Sequence, residues 1–334
     1  MRVWELQDDW GIDRLRMVER PSPQPGPGQV VVAMRAASLN YRDLLTVEGR
    51  GGAKLPLVPF SDGAGEIKAV GAGVTRMKIG DRVCPLFFQS WIEGELTAAS
   101  RAAALGGSAP GVLQDEMLVS AEGVSTIPPL LSFAAAATLP CAALTAWRAL
   151  VVEGKLKAGH SVLVQGTGGV SIFALQFAKM LGASVIATSS SDAKLARAKA
   201  LGADQLINYR DRSDWAKAVL ELTKGLGVDH VIEVGGKDTL SQSIEAASVG
   251  GRVVIIGLLS GLPGQIEALP VFRKNLRVVG ISVGSREQFE EMCQAIAQHK
   301  ISPVVDRSFA FDAVPDALRL MKSGDHFGKI CIEF

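Results

Sequence analysis

A short apolar run, Ser161-Val162-Leu163-Val164-Gln165, breaks into Gly166-Thr167-Gly168-Gly169-Val170-Ser171, and a helical periodicity follows at once. Apolar residues recur at Val170, Phe173, Ala174, Phe177, Ala178 and Leu181, and Gly182 closes the pattern. This is one face of an amphipathic helix with its stop signal. A strand that enters a helix through glycines leaves few folds open. The rhythm continues with Ser184-Val185-Ile186-Ala187, a helix over 192–201, and Gln205-Leu206-Ile207-Asn208. Three more runs complete it, starting at His230, Arg252 and Arg277. Strands apolar at nearly every position are buried on both faces. The alternation predicts an α/β domain with an open, doubly wound parallel sheet and right-handed crossovers.

The turn itself specifies a ligand class. Gly166 permits the tight turn, and Gly168 lets the backbone approach a pyrophosphate. Thr167, Gly169 and Val170 complete the turn and open a helix whose free N–H groups and positive dipole end attract an anion. Ser171 stands where the dinucleotide fingerprint has its third glycine, a packing position. The alternative is a glycine-rich turn in some other doubly wound protein. The next strand end reads Thr188-Ser189-Ser190-Ser191-Asp192-Ala193-Lys194, with no acid where an NAD site holds the ribose 2′-hydroxyl. Ser189, Ser190 and Lys194 suit a 2′-phosphate instead, which points to NADPH. The plainer reading makes Lys194 a solvated helix residue and Asp192 a cap.

Before this region the chain is rich in Gly, Pro and short β-type runs, such as Val30-Val31-Val32-Ala33 and Glu66-Ile67-Lys68-Ala69-Val70. These predict a mostly antiparallel β domain, with a flexible surface loop at 100–111. At 334 residues the chain holds about two domains. The division is 1–124, completed by a tail at 300–334 with strands at 307–311 and 329–334, and 125–299 for the parallel-sheet domain. A net charge of +1 disfavours nucleic acid as a partner. No apolar run is long enough for a membrane span, and the first residues lack a signal-peptide core. Cys84, Cys141, Cys293 and Cys331 are too few and scattered for a disulfide framework, so a cytoplasmic location is expected.

Taken together with Ser38-Leu39-Asn40-Tyr41-Arg42-Asp43, Asp62-Gly63-Ala64-Gly65-Glu66, the stretch 139–147, Gly202-Ala203-Asp204 and Gly328-Lys329-Ile330, the chain resembles a medium-chain dehydrogenase/reductase. The similarity is to the zinc-lacking branch that includes quinone oxidoreductases. It implies a GroES-like β domain, a Rossmann domain, a site in the cleft joining them, and a homodimer joined near 277–283. It also implies a small-molecule quinone or α,β-unsaturated carbonyl as substrate.

Zinc members of that family use a Cys, a His and a later Cys. The matching positions here are Asn40, Ser61 and Cys141. One thiol with an amide and a hydroxyl does not satisfy zinc, so no metal is expected. The four histidines, His160, His230, His299 and His326, are read as structural or solvated. Asn40 and Tyr41 are the catalytic candidates, Tyr41 as a proton donor to a developing oxyanion or, equally, as a packing residue. The resemblance adds Thr145, Tyr209, Gly235, Gly257, Leu258, Ile281, Val283, Phe327 and Lys329 as cofactor contacts. Substrate choice is assigned to loops at 87–96 and 261–271. The competing readings are a zinc-lacking alcohol or aldehyde oxidoreductase and a non-catalytic NADPH-binding sensor.

Overall fold

The structure, a computed structural model, describes residues 1–262 and 266–334. Pro263, Gly264 and Gln265, part of the expected specificity loop at 261–271, lie outside the described residues. The chain divides into two compact units, Met1–Leu144 with Val283–Phe334, and Thr145–Ser282.

In the first unit, β1 (Arg2–Glu5) pairs with β2 (Arg16–Glu19), and the main sheet begins with the long antiparallel pair β3 (Gln29–Ser38) and β4 (Asp62–Val70). To these are added β5 (Arg82–Pro85), β6 (Glu116–Ser120) and β7 (Val124–Thr126). Val30, Val32, Met34 and Ile67 bury one face together with Phe60, Val83 and Leu113.

The second unit holds six parallel strands: β8 (Ser161–Gln165), β9 (Ser184–Ser189), β10 (Gln205–Asn208), β11 (Val228–Glu233), β12 (Ala247–Ile255) and β13 (Arg277–Gly280). Their spatial order, β10-β9-β8-β11-β12-β13, is the Rossmann order and reverses direction between β8 and β11. The helix Gly169–Met180 buries Ile172, Phe173, Ala174, Leu175, Phe177 and Ala178, close to the stripe read from the sequence.

The tail returns to the first unit with β14 (Val305–Ala310) and β15 (Lys329–Glu333), and β15 pairs antiparallel with β3. The units differ from the sequence division, because residues 125–144 and 283–299 pack with the first. The helix Phe133–Ala137 lies against β3 and β4, and the helix Arg286–His299 is tied down by Arg286 to Glu122 and by Ser125 to Glu290.

One expectation needs correction. The stretch 100–111 is pinned, not loose: Leu105 is buried, Gly111 N–H donates to Val58 O at 2.7 Å, and Leu105 O accepts from Arg42 at 2.9 Å. The His160 and His230 rings stack, with Nδ1 and Nε2 3.1 Å apart.

Candidate active site

In the second unit the functional candidates collect where parallel strands end. The carboxyl ends of β8 and β11 flank the reversal in strand order, the place where doubly wound sheets bind ligands. Gly166, with φ +69°, makes the left-handed turn that a side chain would strain. Gly168 is different. Its φ of −78° is open to any residue, and a Cβ there would meet no atom within 4 Å. Nothing in the protein's own packing demands a glycine, and the bare backbone leaves the helix N-terminus open to an approaching anion.

Ser171, the departure from the fingerprint, donates its buried hydroxyl to Gln165 O at 2.6 Å, which ties the helix back to its strand. Thr167 is buried, and Gly169 and Val170 form the first helical turn. At the end of β9, buried Ser189 accepts from Ser191 N–H and its carbonyl holds Tyr209 N–H. Ser190 and Lys194 are half-buried, and Tyr209 is exposed. Asp192, the one acid nearby in sequence, accepts from Asn208 Nδ2 at 2.8 Å. Gly235, Gly257 and Ile281 follow β11, β12 and β13 along the same edge; Leu258 is exposed, and Thr145 is buried at the start of the unit.

Sequence reasoning missed what braces this edge. Glu233 is fully buried and its carboxylate accepts from Gly235 N–H at 2.7 Å, Gly236 N–H at 2.9 Å, Thr239 Oγ1 at 2.6 Å, Gln165 Nε2 at 2.9 Å and Ser243 Oγ. A buried carboxylate is tolerable only when its lone pairs are satisfied in this way. The signal was present as an acid at the end of an apolar run, His230-Val231-Ile232-Glu233-Val234, that leads into two glycines.

The first unit carries a second polar centre, made by strand register. The β3–β15 pairing of Ser38 with Cys331 runs on to set Leu39 N–H on Ile330 O, and so brings Asn40 beside Lys329. The β3–β4 pairing of Ser38 with Asp62 brings Ser61 to the same end. Lys329 is 3% exposed, and its ammonium donates to Asn40 Oδ1 at 2.6 Å and to Leu39 O. Asn40 Nδ2 contacts Ser61 Oγ at 3.4 Å, Ser61 Oγ donates to Asp62 Oδ1 at 2.6 Å, and Asp62 Oδ2 accepts from Cys141 N–H at 2.9 Å. Cys141 sits in a π-helical turn, Leu139–Ala143.

Asp43 completes the cluster, accepting from Asn40 N–H at 2.8 Å and from Arg42 at 3.2 Å. Burial pushes its carboxyl up to about 6 against the opposing pull of Arg42. Burial also raises Asp62, opposed chiefly by Lys329, and holds the Cys141 thiol well above its usual range. Tyr41 begins the helix Tyr41–Val47 and is 36% exposed. Three of the expected cofactor contacts belong to this unit: Lys329 is turned into the cluster, Phe327 is buried, and Val283 packs with Phe87, Phe88 and Trp91. Among the described residues no group of three or more His, Cys, Asp or Glu is placed to hold a metal ion.

Two family models match, "Alcohol dehydrogenase GroES-like domain" over residues 26–129 and "Zinc-binding dehydrogenase" over 169–298. A zinc-type alcohol dehydrogenase-like protein of Schizosaccharomyces pombe is 43% identical over 332 residues, covering 97% of this chain and 96% of its own. The chain belongs to the medium-chain dehydrogenase/reductase superfamily. As a member it is an oxidoreductase with a dinucleotide-binding fold. The solved structure of an NAD-dependent alcohol dehydrogenase superposes with a TM-score of 0.91 at 33% identity, covering all of both chains. A mycobacterial protein complexed with NADPH superposes with a TM-score of 0.85 at 26% identity, again over all of both. No helix among the described residues of this superfamily member is long and apolar enough to cross a membrane.

Proposed function

We propose that the protein is an NADPH-dependent, zinc-independent reductase that passes a hydride to a quinone or an α,β-unsaturated carbonyl. The observation that carries this reading is the chain Lys329–Asn40–Ser61–Asp62–Cys141, which takes in Asn40, Ser61 and Cys141, the positions matched to the zinc ligands of relatives. Zinc takes thiolate, imidazole or carboxylate donors in a tetrahedron. Here burial keeps the thiol protonated, both Asp62 oxygens are engaged, and an ammonium already occupies the cluster. The donor set does not fit a zinc ion.

Without a Lewis acid, conjugate reduction is the less demanding chemistry, because charge delocalises onto an oxygen that hydrogen-bond donors can stabilise. NADPH, when bound, would supply a hydride for the β-carbon of an enone. Asn40 and Tyr41 are the donors offered to the oxyanion, and a proton from solvent would complete the α-carbon. The turn at Gly166 to Val170 would hold the pyrophosphate, with Thr145, Gly235, Gly257, Leu258 and Ile281 along the nucleotide edge. Ser189, Ser190, Lys194 and Tyr209 are assigned to the 2′-phosphate end, and Asn208 draws the Asp192 carboxylate aside. The NADPH-bound relative supports this cofactor.

A second reading, alcohol or aldehyde oxidoreduction, is favoured by the names of the relatives and by the NAD-dependent neighbour. A panel of quinones and enones with NADPH, run beside alcohols with NADP⁺ or NAD⁺, separates the two. Faster consumption of NADPH by the enones and quinones is expected. Faster oxidation of alcohols overturns the proposal, and nucleotide binding with no turnover on any substrate favours a sensor. We also propose a homodimer through the open edge of β13, which sedimentation at 35.2 kDa would refute.

A further inference from the structure

The buried cluster of the first unit has its polarity fixed from both ends. An ammonium has only donors and an ionised carboxylate only acceptors. Between Lys329 and Asp62 lie an amide and a hydroxyl, each able to act either way. Lys329 meets the Asn40 carboxamide at 2.6 Å, so that atom must be the oxygen. Ser61 gives its proton to Asp62 at 2.6 Å, so a lone pair faces Asn40 Nδ2. The carboxamide is thus gripped at its oxygen end. Its nitrogen end is held weakly, by Ser61 Oγ at 3.4 Å and by a longer hydrogen bond to the Asp62 carboxylate. A 3.4 Å contact lies beyond the usual range and is weak.

The placement of the lysine sharpens the point. A lysine almost wholly buried is rare unless paired. No carboxylate is found within ion-pair distance of Lys329 among the described residues, and two of its three N–H donors go to neutral oxygens, Leu39 O and Asn40 Oδ1. Its bonds therefore set orientation, and Asp62 and Asp43 offset its charge from further off.

We infer that Lys329 is a positioning residue: it locks the Asn40 carboxamide oxygen-inward, so that the loosely held N–H end is the one offered to the oxygen where charge develops. This rests on the proposed reductase reading. A cation on the amide oxygen also polarises the N–H bonds and makes them better donors. Removing the lysine leaves only the weak contact at the nitrogen end to orient the amide, whose two ends have nearly the same shape.

A double-mutant cycle tests the inference. Lys329→Met should lower kcat for enone reduction about 100-fold with NADPH affinity within twofold of wild type, and Lys329→Arg should restore most of it. In an Asn40→Ala background Lys329→Met should add less than threefold. Independent, multiplying losses overturn the inference, as does a weakened NADPH affinity with kcat preserved, which would make Lys329 a nucleotide contact. If Lys329→Met does not fold, Lys329→Gln replaces it in the same cycle. A second readout needs no turnover. The side-chain amide ¹⁵N pair that vanishes in Asn40→Ala should shift, and exchange at least tenfold faster, in Lys329→Met. An unchanged pair overturns the inference even in a protein that reduces no enone, whereas a changed pair in such a protein sinks only the reductase reading.

Discussion

The two units build polar sites by opposite means. In the second, the nucleotide edge is made of main chain: the turn at Gly166 to Val170, and the Gly235-Gly236 turn held by one buried carboxylate, Glu233. In the first, the centre is made chiefly of side chains from four separated stretches, Asn40, Ser61-Asp62, Cys141 (through its N–H) and Lys329, gathered where β3, β4 and β15 meet. A main-chain site binds what many relatives share. A side-chain site can differ residue by residue, and here an ammonium sits within it.

The sharpest way to break this contrast is Gly168→Asp. Its side chain would enter open space and cap the helix, so thermal stability should hold or rise. Nucleotide affinity should fall at least about 100-fold, or roughly 3 kcal/mol. Unchanged affinity in a fluorescence titration would show that the main chain of the second unit does not hold the phosphates.

The next effect concerns pH, where the units should slope in opposite directions. Asp43 titrates at about 6 in the folded first unit against 3.8 ordinarily. Its folded state favours the proton, so its contribution is complete below pH 3.8 and is lost as pH rises through about 6. His230, held neutral by burial, falls from 6.5 to about 4. Its contribution is complete above 6.5 and is lost as pH falls through about 4. Each has a ceiling on the order of 3 kcal/mol. Denaturation of Asp43→Asn and His230→Gln between pH 4 and 7 should tilt the stability profile in opposite senses, and parallel profiles would refute the assignment.

The smallest effect is at the specificity end. Lys194→Ala should weaken NADPH about tenfold, or about 1.4 kcal/mol, and leave NADH within twofold. Equal losses for the two nucleotides would remove Lys194 from the 2′-phosphate.

The same contrast explains what could be read in advance. The strands, the helix Gly169–Met180 and the glycine turn are local signals, and the parallel sheet follows from them. The polar centre of the first unit depends on register between β3 and β15, about 290 residues apart, as in the Lys329–Asn40 bond. No window of sequence contains that pairing, so reading along the chain did not join Lys329 to Asn40 and Asp62. The unit boundary was misplaced for a related reason. The division at 125 followed the change in composition there, but Phe133–Ala137 buries itself on β3 and β4. Stretch 100–111 has a loop's composition, yet Phe60 O and Val58 O anchor its far end.

The account turns on reduction in the absence of a cation. Protein dialysed against a strong chelator, with less than one zinc per ten chains by elemental analysis, should consume NADPH with an enone or quinone at the rate of untreated protein. Loss of that activity on chelation and its return with added zinc would contradict the account.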